Sequence, residues 1–211
     1  SDIDIDQTDP DVTVPADQVV SSGDPAGAVV NFSPTGSDAT SGIASVTSNP
    51  ASGSVFPVGT TTVTHTSTDN AGNTSEGTHT VTVSLVLDID IKPGSDVNPL
   101  NLNGNGVVPV AILGSDVLDV TTINVSTVSI NGSTPAHNGH IEDVNDDGVA
   151  DLVVHLTPSD FGIDTATPGG TVLTLTLTGE FNDETAFSGQ DDVRINGNNE
   201  NSKGKGGKGP K

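Results

Sequence analysis

The feature that most constrains this chain is a strict two-residue alternation of apolar residues with Thr and Ser. It runs Thr-Val-Leu-Thr-Leu-Thr-Leu-Thr at 171–178, Thr-His-Thr-Val-Thr-Val-Ser-Leu at 78–85 and Thr-Thr-Thr-Val-Thr-His-Thr at 60–66. Successive side chains of a strand point to opposite faces, so this pattern turns one face inward and leaves the other to water. No stretch carries a convincing helical period, and turn residues break the runs at short intervals, which is the all-β signature. Asp-Asn-Ala-Gly-Asn at 69–73 lies between two alternating runs and reads as a hairpin turn. With five Phe and no Trp, Tyr, Met or Cys, the core must be built from Val, Ile, Leu and Ala. Antiparallel sheets with one wet face suit that composition, because Thr covers the outer side.

The 211 residues allow one or two domains. Two tandem β-sandwich domains are expected, residues 1–86 and 87–197, followed by a Gly/Lys-rich tail at 198–211. The boundary falls near 84–87 with almost no linker, which favours a stiff junction. Asp-Ile-Asp-Ile opens the first domain at 2–5 and the second at 88–91, an internal echo that supports two units. The tail has no apolar anchor and is expected to be disordered when isolated, or else to lie on the acidic surface of a neighbouring subunit.

Charge excludes whole classes of partner. The net charge is −22, from 28 acids against 6 bases. Lys203, Lys205, Lys208 and Lys211 lie in the tail, so the body keeps only Lys92 and Arg194. Such a surface repels phosphate backbones and anionic membranes, and nucleic acid is excluded as a partner. It attracts divalent cations instead. No run of apolar residues is long enough to span a bilayer. The chain starts at Ser1, as expected after removal of a secretion signal or after trimming.

One loop carries specific chemistry. Glu-Asp-Val-Asn-Asp-Asp-Gly-Val-Ala-Asp at 142–151 places Asp143, Asn145, Asp147 and Asp151 at positions one, three, five and nine of a D-x-N-x-D-G-x-x-D pattern. Gly148 stands where the chain must turn, and the Val149 carbonyl falls at position seven. Calcium needs six to eight oxygen ligands, and alternate carboxylates and amides on a tight loop converge on one point. The expected metal ligands are therefore Asp143, Asn145, Asp147, Val149 and Asp151, and the expected cofactor is calcium. The competing reading is an acidic Asx-turn hairpin, since Asp, Asn and Gly dominate ordinary turns. Position twelve is Val154, where an EF-hand has a bidentate Glu, and the loop feeds an apolar β-branched run instead of a helix. The missing ligands would come from Glu142, Asp146, Asp116, Asp119 or water, giving a structural site more than a switch.

Other clusters are weaker. Asp2, Asp4 and Asp6 share one strand face, as do Asp88 and Asp90, and are either solvated or ligate cations at a junction. His137 and His140 form an H-x-x-H pair before the loop, read first as hydrogen-bonded loop histidines and second as a zinc pair. His140 and His155 flank the loop and can support it from outside. Asn-Leu-Asn-Gly-Asn-Gly at 101–106 reads as a turn. Asp191 and Asp192, being adjacent, point to opposite faces, which weakens a shared ligand role.

Residues 9–84 resemble a hyalin-repeat (HYR) domain, an immunoglobulin-like β-sandwich of extracellular proteins. The residues that carry it are Asp-Val-Thr-Val-Pro-Ala at 11–16, Gly-Ala-Val-Val-Asn-Phe at 27–32, Pro-Ala-Ser-Gly-Ser-Val-Phe-Pro-Val-Gly-Thr at 50–60 and Thr-Asp-Asn-Ala-Gly-Asn-Thr at 68–74. Where that family usually has a disulfide pair, this chain has Ser48 and His65. A disulfide typically contributes about 2–4 kcal/mol, so packing, calcium or assembly must replace it. Residues 87–196 are similar to a module of secreted bacterial proteins through Ile-Asp-Ile-Lys-Pro-Gly at 89–94, Gly-Val-Val-Pro-Val-Ala-Ile-Leu-Gly at 106–114 and the calcium-type loop. The resemblances imply an adhesion or structural protein and supply no catalytic residue.

Enzyme signatures are missing: there is no G-x-S-x-G, no H-E-x-x-H and no phosphate-cradling loop. The expectation is a secreted, non-catalytic, calcium-binding protein that self-associates, with a fibre as the concrete form. In that form residues 1–9 would add as a strand to a neighbour's sheet edge. The alternatives are an accessory module of a larger secreted enzyme or adhesin, and a carbohydrate-binding module. The lack of Trp and Tyr for stacking on sugar rings counts against the last.

Overall fold

A computed structural model describes residues 6–133 and 139–196. His137, the first five residues of the expected donor strand and the lysine tail lie outside the described residues. The chain divides into two compact units, Ser1–Val86 and Leu87–Lys211. Among the described residues the regular structure is strands, with two short 3-10 turns at Val120–Thr122 and Pro158–Phe161. The architecture is all-β, as the alternation requires, in two β-sandwich units.

The first unit contains β1 (Asp11–Thr13), β2 (Gln18–Ser22), β3 (Ala28–Val29), β4 (Thr35–Ser37), β5 (Ile43–Asn49), β6 (Val55–Phe56), β7 (Gly59–Asp69) and β8 (Thr74–Val86). Its main sheet runs β2-β8-β7-β5, with β2 parallel to β8 and the other pairs antiparallel. Short ladders β1-β4 and β3-β6 supply the facing layer. The 69–73 turn joins β7 to β8, where the Asn-Ala-Gly pattern placed a hairpin. Val30, Phe32, Phe56, Val63, Val81 and Val83 fill the space between the layers. Burying each such side chain contributes about 1.5–3 kcal/mol, so this small apolar core is the main source of the unit's stability.

Ser48 and His65 are cross-strand partners on β5 and β7. Their side chains share a hydrogen bond of 2.8 Å between Ser48 Oγ and His65 Nδ1. His65 Nε2 lies 2.8 Å from His79 Nδ1, and both imidazoles are buried. The Phe32 ring meets both edge-on, at 5.4 and 5.0 Å. A hydrogen-bonded polar chain therefore occupies the position that the HYR resemblance gives to a covalent link. Burial and the neighbouring His79 push the His65 imidazole below its usual range, so it is neutral in the fold.

The second unit contains β9 (Ile89–Ile91), β10 (Pro99–Leu100), β11 (Val108–Ile112), β12 (Ile123–Ile130), β13 (Gly139–Glu142), β14 (Asp151–Leu156), β15 (Val172–Phe181) and β16 (Ala186–Ile195). One layer runs β13-β14-β11-β9 and the other β12-β15-β16, with β10 parallel to β16. Leu152, Val153, Val154 and Leu156 make β14 buried on nearly every residue, which is why its sequence reads as a continuous apolar run. Gly189 is where a bare backbone is required: a Cβ there would lie 2.7 Å from both Ile89 Cγ2 and the Leu87 carbonyl.

Candidate cation sites

The inward face of β7 reads Val63, His65, Ser67, Asp69, all buried. It passes from apolar to charged toward the hairpin. At the hairpin Asp69, 2% exposed, accepts at Oδ1 from the amides of Ala71 and Asn73 and at Oδ2 from Asn73 Nδ2, at 2.7–2.9 Å. Asp38, following β4, accepts at Oδ1 from the amides of Thr40, Ser41 and Gly42. Asp6 accepts at Oδ1 from the Thr8 amide, and its carbonyl accepts from Asn73 Nδ2. One carboxylate oxygen from each of Asp6, Asp38 and Asp69 lies within 4.8 Å of the other two. The second oxygen of Asp6, Oδ2, is sealed from solvent and accepts no hydrogen bond.

The carboxyls of Asp38 and Asp69 are held in the charged form. Donation from the Ser41 amide, helped by Gly42 and Thr40, outweighs burial and keeps the Asp38 carboxyl below the usual range. Burial pushes Asp69 up, but the side chain and amide of Asn73, with the amides of Gly72 and Ala71, together hold it below the usual range. Nothing in the first unit's sequence can neutralise them, because it contains no Lys or Arg. Converging carboxylates without a basic partner are the arrangement a hard divalent cation stabilises.

The 142–151 loop is built differently. Asp143 accepts from the Asp147 amide at Oδ1 (3.1 Å) and from the Gly148 amide at Oδ2 (2.9 Å). Asn145 Oδ1 also accepts from the Asp147 amide, and Asn145 Nδ2 donates to Asp147 Oδ2. Asp147 Oδ1 accepts from the Val149 amide at 2.7 Å. Asp146 and Gly148 have φ of 60° and 85°, which turn the chain back on itself. Asp151 is fully buried and points inward, accepting from the Gly114 amide at Oδ1 (2.8 Å) and from the Val144 amide at Oδ2 (2.9 Å). Any Cβ at Gly114 would run into the Ala150 carbonyl, so glycine permits that approach. The loop thus gathers Asp143, Asn145, Asp147 and the Val149 carbonyl in an exposed turn, while Asp151 braces it from beneath. Among the described residues, Asp143, Asp147 and Asp151 do not bring three carboxylate oxygens within 4.8 Å of one another.

Several other acids have structural partners. Asp119 caps the 3-10 turn through the Thr121 amide and hydroxyl. Asp191 Oδ2 accepts from the Ile91 amide and Asn98 Nδ2, while Asp192 Oδ1 accepts from Thr174 Oγ1 on the other face of β16. Burial, with Asp191 close by, pushes the Asp90 carboxyl up. Asn101–Gly106 connects β10 to β11 as a turn, with the Gly104 amide donating to the Asn101 carbonyl. His140 and His155 stack at 5.3 Å beside a cleft of about 370 Å³, and His140 Nε2 is 3.2 Å from Glu142 Oε2.

Sequence reasoning placed Asp6 on an acidic face but did not join it to Asp38 and Asp69. The usable signal was the period: Asp69 stands in register with Val63 and so had to face inward.

Residues 5–83 match the family model of the HYR domain. Among curated proteins, none matches this sequence. Solved structures with a similar course include SGBP-B of the Bacteroides ovatus mixed-linkage glucan utilization locus, in complex with a mixed-linkage heptasaccharide. It is 12% identical with a TM-score of 0.29, and the match covers 90% of this chain and 48% of that one. The extracellular cadherin domains 1–4 of protocadherin gamma B7 give 12% identity and a TM-score of 0.29, over 90% and 50% of the two chains. Mouse cadherin-23 EC22–24 gives 16% and 0.27, over 93% and 66%. The chain spans about half the length of the first two. Likenesses this low carry no site or activity to this chain. No helix of the described residues is long and apolar enough to cross a membrane.

Proposed function

We propose that this chain is a secreted, non-catalytic structural or adhesion protein whose first sandwich is locked by calcium. The observation that carries the proposal is the convergence of Asp6, Asp38 and Asp69 within 4.8 Å in a unit that has no Lys or Arg. Asp6 precedes β1, Asp38 follows β4 and Asp69 ends β7, so one ion would tie the entry segment to both layers of the sandwich. A cation bound only by the native state raises its stability, replacing what the missing disulfide would have supplied. The D-x-N-x-D-G loop is the second proposed calcium site, with Asp143, Asn145, Asp147 and the Val149 carbonyl as ligands. Asp151 there acts through the fold, by holding the Gly114 and Val144 amides, as much as through the ion.

The HYR match and an acidic body fit an extracellular protein built for assembly. Its form is a fibre in which the residues ahead of Asp6 in one copy add to the β5 edge of the next, while Asp6 stays with its own sandwich. Strand addition needs an unpaired edge, and β5 pairs only with β7 among the described residues. The test is a thermal melt and negative-stain microscopy across calcium concentration. A calcium-dependent rise in the melting temperature, with fibres that chelator dissolves, is expected. Chelator-insensitive melting would refute the calcium lock. Monodisperse monomers at high protein and calcium would refute the fibre.

A further inference from the structure

We propose that the cleft beside β13 and β14 is a metal site of a different chemistry, in which His140, His155 and Glu142 bind a borderline divalent transition metal of the zinc type. The strands set it up. His140 pairs with Val153 across the β13–β14 ladder, and His155 lies two residues beyond Val153, on the same face of the sheet. The two imidazoles therefore meet, with ring centroids 5.3 Å apart and planes 18° from parallel. Glu142 is two residues from His140 on β13 and shares that face, bringing its Oε2 to 3.2 Å from His140 Nε2. The cleft of about 370 Å³ is otherwise walled by Pro93, Gly94, Pro109, Val153, Val144 and the calcium-loop residue Asp143, with no Lys or Arg to compete for the carboxylates.

The donor set decides the ion. Calcium and magnesium take oxygen ligands, whereas imidazole suits zinc, copper and nickel. Two imidazoles and one carboxylate make the three-ligand set of a zinc site with its fourth position open. In the stacked arrangement the rings present faces to each other, and the donor atoms of His140, His155 and Glu142 do not all lie within 4.8 Å of one another. Ligation requires each to turn so that a nitrogen comes about 2.0–2.1 Å from the ion. His140 is half exposed and lies at the cleft's mouth, so that turn meets little resistance. The backbone below is held by the β14 ladder and the buried Val153, so the positions of the ligands are fixed even though their rotamers are not.

The test is calorimetric titration of zinc chloride into the full chain with calcium already saturating. One equivalent bound at micromolar affinity, with protons released, is expected. His140→Ala and His155→Ala should each weaken it by at least about tenfold, and Glu142→Gln by less. Copper(II) in the same site should show paramagnetic resonance couplings from two imidazole nitrogens. His140→Ala, at an exposed position, is the decisive variant because it leaves the fold intact, which circular dichroism checks. Asp6→Asn, in the other unit, should leave zinc affinity unchanged, so this proposal and the calcium lock fail separately. Zinc affinity unaltered by His140→Ala, elimination of zinc binding by saturating calcium, or copper spectra without two-nitrogen coupling would each overturn the site.

Discussion

The two acidic centres, Asp6–Asp38–Asp69 and the 142–151 loop, solve the same electrostatic problem in opposite ways. The loop draws its acids from ten consecutive residues and spends their oxygens on amides, nearly all its own: Asp143 on Asp147 and Gly148, Asp147 on Val149, and Asp151 on Val144 and on Gly114 outside the loop. It is closed before any ion arrives. The first-unit centre draws one acid from each of three separate segments and leaves a buried Asp6 oxygen without a donor. Each turn satisfies its own acid, in the first unit as in the loop, but the convergence of three turns leaves Asp6 Oδ2 with no donor and the three charges with no counter-ion. An ion at the loop refines an existing shape; an ion at the first-unit centre completes one.

This contrast predicts a graded series. The largest effect should be calcium-independent: Asp151→Ala leaves the Gly114 and Val144 amides without their acceptor in a buried place. It should cost about 2–5 kcal/mol in denaturant unfolding of the second unit, with and without chelator. A loss seen only in calcium would mean that Asp151 serves the ion and not the fold. Next comes the calcium gain of the first unit. At calcium a hundredfold above its dissociation constant the stabilisation should be about 2.7 kcal/mol, and Asp69→Asn should abolish most of it. An Asp69→Asn protein that keeps the full calcium gain would move the ion elsewhere.

Acid should separate the two units. His65 is neutral in the fold because burial and His79 lower its pKa, while the unfolded chain titrates near 6.5. Below that pH the unfolded state takes up a proton that the folded state refuses, so stability falls as pH drops through about 6.5. The depressed carboxyls of Asp38 and Asp69 act lower: their contribution is full above about 3.8 and is lost as pH falls through their folded values. Melting of the first unit should therefore begin to weaken before any carboxylate titrates. A His65→Gln variant with the same profile between pH 7 and 5 would contradict this. The smallest effect should be Asp143→Ala without calcium, about 1 kcal/mol, since its amide contacts lie in exposed backbone that water can satisfy. A loss as large as that of Asp151→Ala would erase the distinction between surface ligand and buried brace.

What could be read from the sequence follows the same line between local and tertiary. The alternation at 60–66, 78–85 and 171–178 gave β7, β8 and β15 because a period of two is a local property. The 69–73 hairpin and the turns at 143–148 were legible for the same reason. Ser48 opposite His65 was visible only through the HYR resemblance, and the continuation to His79 was not, since His79 stands opposite Val63 and reaches His65 only diagonally across the β7–β8 ladder. Asp38 was one acid among 28, and its convergence with Asp6 and Asp69 is a product of the fold. The inward direction of His65, Ser67 and Asp69 was nevertheless fixed once Val63 was placed in the core. Polar residues in register with a core valine are therefore the mark to follow in chains of this kind.

The central claim is that calcium completes the Asp6–Asp38–Asp69 centre. Calorimetric titration of calcium into the intact chain and into Asp6→Asn tests it most directly, because Asp6 supplies the sealed, unpartnered oxygen and its loss leaves the core of the sandwich untouched. The account predicts that Asp6→Asn loses one binding event, while any event at the 142–151 loop remains. Identical calcium isotherms for the two proteins would contradict it.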